Sequence, residues 1–370
     1  MEVTPVGGPR DLAAFIRLPF EIYRDDPHWV APLDSDEKVR LTPGKNPFFE
    51  HGEAALFLAR ANGRVAGRIA ASIDRNHDRV HGERQGAFGF FEATSSDAAS
   101  ALLAAAETWA RGKGATVARG PLSFTTNDEC GLLVDGFDRS QPLLMPYNRP
   151  DYAGWIEAAG YRKAKDLYSF TRPGPYDLSS AFKRVADMAR RRAGVTTRPL
   201  DMKNFPSELA LVKGIYNSAW EKNWGFVPMT DAEIDHMAKQ LKPAVIPDFV
   251  RFAEVDGKAV AFLLYVPDVN LALKPARGKL FPFGVFHVLF GLPKIREGRL
   301  MALGVVPEYR RTGLAPTLVS DLGEALDRRG YTNSHIGWTL EDNDIVNHLI
   351  VDVGAKRSVT HRIYEKPLGA

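Results

Sequence analysis

The sequence lacks several features that would place a protein in a common class. Cys130 is its only cysteine, which excludes an internal disulfide and a thiolate metal site and fits a reducing compartment. The formal net charge of +3 is too small to indicate nucleic-acid binding. Met1 and the residues after it form neither a basic segment nor an apolar core, so no secretory signal is expected. These absences favour a cytoplasmic protein without a nucleic-acid partner.

The composition is that of a folded enzyme of more than one domain. Of the 370 residues, 45% are hydrophobic and 25% are charged, which are ordinary values for globular proteins. A chain of this length is long for one domain and comfortable for two. The length is therefore compatible with an internal repeat.

The most informative motif leads from an apolar strand through a basic loop into a helix. Leu300 to Val306 reads as a buried strand that Pro307 ends. Two arginines and the small residue Gly313 then precede an apolar helix face. Free amides at a helix start attract phosphate, and arginines add charge-assisted hydrogen bonds. The motif predicts a pyrophosphate site of the coenzyme A type, although an ordinary loop with solvated arginines is the alternative.

The order of predicted elements occurs twice. Each half contains a hairpin, at Asn62-Gly63 in the first and at Asp256-Gly257 in the second, followed by strand, helix, strand, helix and strand. The predicted fold is α/β (α+β) with two tandem lobes, each a mixed, mostly antiparallel sheet flanked by helices. The predicted boundaries are 1–172 for the first lobe, 173–199 for a linker with a basic helix over 179–193, and 200–370 for the second lobe, with an apolar insertion at 270–299.

The two predicted lobes differ at the cofactor loop. The first-lobe segment that corresponds to Arg310 to Ala315 is Glu92 to Asp97, which has no basic residue and no glycine. It should not hold a pyrophosphate, and its Ser95, Ser96 or Asp97 reads as a helix cap. We therefore assign coenzyme A to the second lobe.

From this loop to the end, the chain resembles the GNAT acyltransferase superfamily. Arg310-x-x-Gly313-x-Ala315 matches the coenzyme A motif of that superfamily, and Asn343, Gly354-Ala355 and the segment 362–366 match its closing half. The resemblance implies two splayed central strands, pantetheine paired with exposed strand backbone, and acyl-CoA as a co-substrate that is not permanently bound. It implies these cofactor-binding residues: Val305, Val306, Arg310, Arg311, Thr312, Gly313, Leu314, Ala315 and Asn343.

Across its whole length the chain is similar to the bacterial ceramide synthase family. The resemblance is carried by the segments 26–32, 46–48, 126–137, 217–228 and 267–270 and by the loop at Arg310. It implies an N-acyltransferase that joins a long-chain acyl group to 3-ketosphinganine or sphinganine and forms a keto-ceramide or a ceramide. A GNAT acetyltransferase of a small soluble amine and a non-catalytic acyl-CoA binding protein are the alternatives.

The insertion contains an uncharged aromatic segment, Leu280 to Pro293. Its 14 residues are fewer than the roughly 20 that span a bilayer as a helix. Cations flank it on both sides, namely Lys274, Arg277 and Lys279 before it and Lys294, Arg296 and Arg299 after it. Such a segment can lie in the membrane interface, wall a lipid tunnel or be a buried arm. We expect Phe283 and Phe286 to contact substrate, and expect peripheral contact with the inner face of the cytoplasmic membrane.

Aminolysis of a thioester requires a base, since an ammonium group cannot attack a carbonyl carbon. The polar residues expected near the splayed strands are Asp268, Glu341 and His335, each of which also has a structural interpretation as a turn, a helix cap or a core histidine. Many GNAT enzymes place a tyrosine acid seven residues after the asparagine. Here that position is Ile350, which leaves the acid role without a dedicated residue.

Four further polar or aromatic residues are predicted to shape the acceptor site, namely Asn127, Trp220, Asn223 and Asn270. Asn127 lies between glycine-containing turns, and Trp220 and Asn223 lie near the end of a predicted helix. The loop containing His77 and His81 lacks further ligands at useful spacing, so no metal site is expected.

Overall fold

The computed structural model describes residues 1–192 and 194–369. The strands of this part are β1 (Glu2–Pro5), β2 (Gly52–Ala61), β3 (Arg64–Asp74), β4 (Gln85–Ala93), β5 (Val117–Gly120), β6 (Leu132–Asp135), β7 (Arg162–Pro173), β8 (Val195–Pro199), β9 (Val250–Val255), β10 (Lys258–Pro267), β11 (Glu297–Val305), β12 (Asn333–Leu340) and β13 (Lys356–Pro367). The α-helices are α1 (Pro9–Ile22), α2 (Asp34–Arg40), α3 (Arg75–His81), α4 (Ser96–Gly112), α5 (Asp151–Ala158), α6 (Ser180–Arg190), α7 (Phe205–Trp220), α8 (Asp231–Leu241), α9 (Asn270–Leu273), α10 (Gly284–Gly291), α11 (Leu314–Arg328) and α12 (Asp344–Asp352).

The predicted repeat of elements is confirmed. Strand, two helices, hairpin, strand, helix and strand follow one another in β1–β5 and again in β8–β12. Both hairpin turns place their two central residues in the left-handed region, with φ of 49° and 77° at Asn62-Gly63 and 51° and 77° at Asp256-Gly257. This geometry suits the twist of antiparallel hairpins and explains the asparagine, aspartate and glycines at these positions. The predicted basic helix is observed as α6, and Ala193 lies outside the described residues.

All strands join one sheet, and the two halves exchange their closing strands. The order is β1-β2-β3-β4-β5-β13-β7-β12-β11-β10-β9-β8, with β6 paired to β13. Thus β13, from the end of the chain, pairs with β5 of the first half, and β7 pairs with β12 of the second half. A cut at residue 172 therefore divides the chain but not the sheet, and the domain boundaries stay a prediction.

The central strands of the second half separate. Residues 297–300 of β11 pair in parallel with 333–336 of β12, and beyond Leu300 and Ile336 the two strands diverge. On the other side of β11, Leu300 faces Tyr265 and Ala302 faces Leu264, so that Met301 is an extra, bulged residue. Bulges of this kind increase local twist and end regular pairing. The result is a gap in the sheet beside the cofactor loop.

Helices cover both faces of the sheet through apolar stripes. In α11 the stripe of Leu318, Leu322, Ala325 and Leu326 is buried against the sheet, as the helical spacing predicts. In the first half, Leu102, Leu103 and Ala106 of α4 make the matching contact. The described helices include none that is long and apolar enough to cross a bilayer.

Candidate active site

A cavity of about 340 Å³ passes through the gap between β11 and β12 and continues between the two lobes. Its walls come from four regions: the first-lobe loops, α7 and α8, the gap strands, and the α11–α12 side. Its wall includes the side chains of Asn127, Asp128, Tyr216, Trp220, Asn223, Glu233, Arg299, Met301, Asn343 and Ile350. Most of the remaining wall is apolar, including Val319, Ile336, Val346, Leu349 and Val353 toward α11 and α12, and Val212, Ile234 and Met237 on α7 and α8, where His236 and Gln240 also line it.

The predicted cofactor loop lies where β11 ends and α11 begins. Gly313 precedes the helix with φ of 86°, a conformation that favours glycine, and no side chain caps the helix. In the described part of the chain, the backbone amides of Gly313, Leu314 and Ala315 have no hydrogen-bond acceptor. These amides point out of the first turn and can bind an anion.

The side chains around the loop support the same role. Arg310 and Arg311 are both exposed, and Arg310 also donates to the carbonyl of Ala219 at 2.8 Å. Thr312 Oγ1 donates to the carbonyl of Tyr309 at 2.6 Å, which fixes the turn. Val305 and Val306 end the strand, and the Val306 amide donates to Val260 at 3.0 Å, so this amide is already used. The loop thus offers free amides and two exposed cations to one anionic group.

Asn343 is brought to the same cavity from the far side of the gap. It lies in the cavity wall, and its side-chain oxygen accepts from the amide of Val346 at 3.4 Å, which caps α12. Ile350, about two turns further along α12, is buried and also lines the cavity. No acid is therefore present at that position.

The three predicted bases have structural contacts and lie outside the cavity wall. The Asp268 carboxylate accepts from the amides of Leu143 and Asn270 at 3.0 and 3.2 Å. Burial raises the pKa of Asp268, with His335 opposing this effect. His335 itself lies 3.5 Å from the carboxylate of Glu297. These contacts build the turn after β10 and its junction with β11 and β12, away from the gap.

Glu341 likewise makes contacts within the protein. Its carboxylate pairs with Lys163 at 2.5 Å and accepts from the amide of Asp166 at 3.1 Å. These bonds tie the end of β12 to β7, the strand that the first half contributes. Among the described residues, Asp268, His335 and Glu341 do not appear in the wall of the cavity.

The predicted acceptor residues divide into two groups. Asn127, Trp220 and Asn223 line the cavity, and the Tyr216 hydroxyl donates to the Asn127 side chain at 2.9 Å. Asn270 instead donates to the carbonyl of Gln141 at 3.2 Å, outside the cavity. The first group therefore forms part of the cavity wall where the first lobe meets α7. Asn270 instead stabilises the insertion.

Phe283 and Phe286 are on the outer surface, with 73% and 52% of each residue exposed. Segment 280–293 contributes no described residue to the cavity wall, so it does not form the tunnel, and its exposure also excludes a buried arm. Arg299 is not one of its flanking surface cations. It is buried in the cavity wall and donates to the carbonyls of Gly337 and Leu143 at 3.0 and 2.6 Å. Burial lowers the pKa of Arg299 to about 10.

Two charged side chains near the cavity, Glu233 and His51, were not singled out from the sequence, whereas a third, Asp128, belongs to the polar cluster 127–129 that the sequence indicates for orienting an acceptor's hydroxyl or amine. Asp128 and Glu233 line the wall, and His51 bridges Glu233 to Asp74 through its two ring nitrogens at 3.0 and 2.9 Å. Glu233 looks like an ordinary helix-capping residue, because it completes a capping box with Thr230. Only Asp128 could be recognised from the sequence as a candidate, because it follows Asn127 in a polar loop.

The pKa values of this group are shifted from their ordinary range. Burial alone would lower the pKa of His51, but the carboxylates of Asp74 and Glu233 outweigh it and raise the pKa to about 9. Burial raises the pKa of Asp128 to about 6, while the Arg40 guanidinium opposes this effect. Asp128 lines the cavity and is itself exposed, while the protein around it partly removes the carboxylate from water.

Comparison with known proteins agrees with the motifs. No family model matches the chain. It is 37% identical to the bacterial ceramide synthase of Caulobacter vibrioides, over 100% of this chain and 98% of that protein. The chain belongs to the bacterial ceramide synthase family. The Escherichia coli protein YghO is also similar, at 36% identity over 97% of this chain and 93% of that protein.

Solved structures confirm the predicted fold of this family member. A tandem GNAT protein from the clavulanic acid biosynthesis pathway matches with a TM-score of 0.57 at 14% identity, over 100% of this chain and 99% of that one. A GCN5-related N-acetyltransferase from Sphaerobacter thermophilus matches with a TM-score of 0.55 at 14% identity, over 100% and 96%. The chain is an acyl-CoA N-acyltransferase with tandem GNAT lobes, and acyl-CoA is its co-substrate.

Proposed function

We propose that this enzyme transfers a long-chain acyl group from acyl-CoA to the amine of a sphingoid base, 3-ketosphinganine or sphinganine, and forms a keto-ceramide or a ceramide. The observation that carries the proposal is the cavity through the sheet. Aliphatic side chains line it both toward α11 and α12 and toward α7 and α8, and its polar side chains include Asn127, Asp128 and Arg299. An acetyl group and a small polar amine would not need two apolar regions.

The reacting groups can be assigned to this cavity and to the loop between β11 and α11 beside it. The α11 amides and Arg311 would hold the pyrophosphate, and the unpaired edge of β11 after Leu300 would pair with pantetheine. The bulge at Met301 places backbone amides at the gap, where an N–H would stabilise the oxyanion of the tetrahedral intermediate. A thiol of pKa near 8.5 is a tolerable leaving group, so the reaction is compatible with Ile350 in place of an acid.

The acyl transfer is tested by thiol release. Acetyl-, octanoyl- and palmitoyl-CoA are each supplied with and without 3-ketosphinganine or sphinganine, and amide formation is followed by mass spectrometry. We expect release with the long chain and the sphingoid base together. Release with acetyl-CoA and a soluble amine alone would make the protein a small-molecule acetyltransferase, and acyl-CoA binding without release would make it a binding protein.

Arg311→Ala tests the cofactor assignment within the same assay. Loss of one charge-assisted hydrogen bond to phosphate should weaken acyl-CoA binding by roughly tenfold or more, with little change in thermal stability, because Arg311 is exposed. The matched control is Arg64→Ala, an exposed arginine of the first-lobe hairpin. Equal acyl-CoA affinity of the two variants would contradict the assignment.

We also propose that segment 280–293 contacts an anionic membrane surface, where lipid substrates reside. Phe281, Phe283 and Phe290 are 80%, 73% and 66% exposed, which is costly in water unless another apolar phase covers them. Exposed cations lie on both sides of the segment, namely Arg277, Lys279, Lys294 and Arg296. Aromatic residues flanked by cations favour the interface of an anionic bilayer.

Vesicle co-sedimentation tests this contact. The protein should bind vesicles of phosphatidylglycerol and phosphatidylcholine more strongly than vesicles of phosphatidylcholine alone, and a Phe283→Ser, Phe290→Ser double variant should lose most of that binding. The control is Ile345→Ser, which removes an 80% exposed side chain at the start of α12. If the double variant sediments like the wild type, the segment does not bind lipid.

A further inference from the structure

One carboxylate in the cavity wall, on the side of the first lobe, makes few hydrogen bonds within the protein. Asp128 lies in the loop between β5 and β6, and its Oδ2 accepts only a long hydrogen bond, 3.3 Å, from Thr125 Oγ1. In the described part of the chain its Oδ1 has no hydrogen-bond partner, and the side chain lines the cavity. A free carboxylate oxygen that faces the substrate cavity can accept a proton from a ligand.

Glu233, the other carboxylate in the wall, is fully engaged. Its Oε1 bonds to His51 Nε2 at 3.0 Å, and its Oε2 accepts from the Thr230 amide at 2.7 Å. His51 is in turn held by Asp74. Glu233 therefore adds negative charge to this part of the cavity wall. Both of its carboxylate oxygens are already hydrogen-bonded, so neither is free to take a proton from a ligand.

We infer that Asp128, a first-lobe residue, is the general base that removes a proton from the acceptor ammonium group at the second-lobe thioester. This inference rests on the proposed transfer to a sphingoid amine. It makes the first lobe a direct participant in the chemistry, although that lobe has no cofactor loop of its own.

The proton and electron balance is complete without another reactant. Asp128 takes one proton from the ammonium group, and the nitrogen lone pair then forms the C–N bond to the thioester carbon. When the tetrahedral intermediate collapses, the C–S bond breaks and its electron pair leaves on sulfur. The second proton of the nitrogen goes to that sulfur, which gives the amide and free coenzyme A, and Asp128 then releases its proton to solvent.

The surroundings of Asp128 suit this task. Arg40 on α2 lies close by and bonds Glu129 at 3.0 Å, while Glu233 on α8, Tyr216 on α7 and the neighbouring Cys130 are the other titratable groups that face it. Burial raises the pKa of Asp128 to about 6 against the effect of Arg40. A base of this pKa is ionised at neutral pH and is still basic enough to accept a proton.

The test is the pH dependence of kcat/KM for palmitoyl transfer to sphinganine. The wild-type profile should rise to a plateau above about pH 6, because Asp128 ionises there. Asp128→Asn should lower kcat/KM at pH 7 by roughly 100-fold to 10,000-fold. Its rate should then climb about tenfold for each pH unit up to the pKa of the amine, because only the neutral amine can attack without a base.

Two controls separate this role from a structural one. Asp135→Asn changes an exposed aspartate of the same region and should keep the wild-type profile. Asp128→Glu should retain the plateau with a reduced rate, and acyl-CoA affinity should be unchanged in all variants. An Asp128→Asn profile that keeps the plateau would overturn the inference. A wild type that acylates no sphingoid base would instead overturn the proposed function.

Discussion

The two lobes follow the same order of elements, yet the position of the proposed coenzyme A loop in the second lobe is closed in the first. At the start of α11, Gly313 leaves the first amides free. At the equivalent start of α4, Ser95 caps the helix by accepting from the Ala98 amide at 3.3 Å. Where the second lobe has exposed Arg310, the first has buried Glu92, which accepts from the hydroxyls of Tyr23 and Tyr152 at 2.7 and 2.8 Å.

The gap between the central strands is likewise open in one lobe and filled in the other. In the first lobe the Leu122 amide donates to the Phe88 carbonyl at 2.7 Å, and a Cβ on Gly89 would lie 1.9 Å from the Leu122 oxygen. Phe124 packs into this region and stacks on Phe48 with ring centroids 4.6 Å apart. The two lobes thus keep the same backbone arrangement, and their side chains determine whether the gap between the central strands is open or filled.

The largest expected effect comes from removing the aromatic filling of the first lobe. Phe124→Ala should lower the free energy of unfolding by about 3–5 kcal/mol, because Phe124 is buried among aromatic rings and its loss leaves a cavity. Denaturant titration measures this change. Calorimetry should still show one acyl-CoA bound per chain, since Ser95 and Glu92 remain.

The matched control for this substitution is Phe286→Ala, whose side chain is exposed. It should change the unfolding free energy by no more than about 0.5 kcal/mol. Binding of a second acyl-CoA by Phe124→Ala would mean that the filling alone, and not the helix cap, closes the first lobe.

The next effect concerns the contact that joins the lobes. His51 of the first lobe bonds Glu233 of the second, so His51→Ala should leave two carboxylates without their partner and cost about 3 kcal/mol near pH 6. The pKa of His51 is raised to about 9 in the folded protein from an ordinary 6.5. Its stabilisation is therefore fully present below pH 6.5 and is lost as the pH rises through 9.

Thermal unfolding of wild type and His51→Ala across pH 6 to 10 checks this sign. The difference in Tm should be largest at the acidic end and should shrink above pH 9. His348→Ala, an exposed histidine of α12, is the control and should give no such trend. A difference that grows with pH would contradict the assigned protonation state.

A smaller effect is expected at the helix start of the second lobe. Gly313→Ala places a Cβ at φ of 86°, 3.0 Å from Ala189 Cβ and 3.3 Å from the Val185 carbonyl oxygen. The first turn of α11 must shift, and acyl-CoA affinity should fall by about tenfold, measured by calorimetry. Gly63→Ala introduces similar backbone strain in the first-lobe hairpin, where no atom lies within 4 Å, and should leave the affinity unchanged.

The smallest effect is expected at the matching helix start of the first lobe. Ser95→Ala removes the cap of α4 and should cost about 1 kcal/mol of stability, measured by denaturant titration. Acyl-CoA affinity should stay the same. A gain of acyl-CoA binding would show that this serine, rather than the buried Glu92, keeps the first lobe without a cofactor.

Local pattern was sufficient to predict the repeat, and it also supplied the prediction of the cofactor loop. The two hairpin turns depend on φ values that asparagine, aspartate and glycine adopt readily, so adjacent residues specify them. The loop from Val305 to Ala315 is also local, because its strand, turn and helix are consecutive in the chain. The order of elements followed from these signals, and it identified the fold class.

The charged part of the cavity wall around Asp128 and Glu233 could not be predicted in the same way, because it brings together residues that are far apart in the chain. His51, Asp128 and Glu233 meet only after the lobes pack together, and no spacing in the sequence relates them. Conversely, Asp268 and Glu341 follow strands as catalytic carboxylates often do. Yet the Asp268 carboxylate already accepts from a backbone amide, and the Glu341 carboxylate is paired with Lys163. Such roles depend on which neighbours satisfy each hydrogen-bonding group.

The sequence by itself determined two GNAT-like halves and the prediction that the coenzyme A loop lies in the second, because turns, caps and helix faces are set by residues a few positions apart. Only the tertiary structure decided that β7 and β13 exchange places, that the apolar segment at Phe283 is exposed, and that Asp128 faces the cavity. Strand pairing and burial depend on contacts between distant segments, and these contacts are fixed by how both halves pack as a whole.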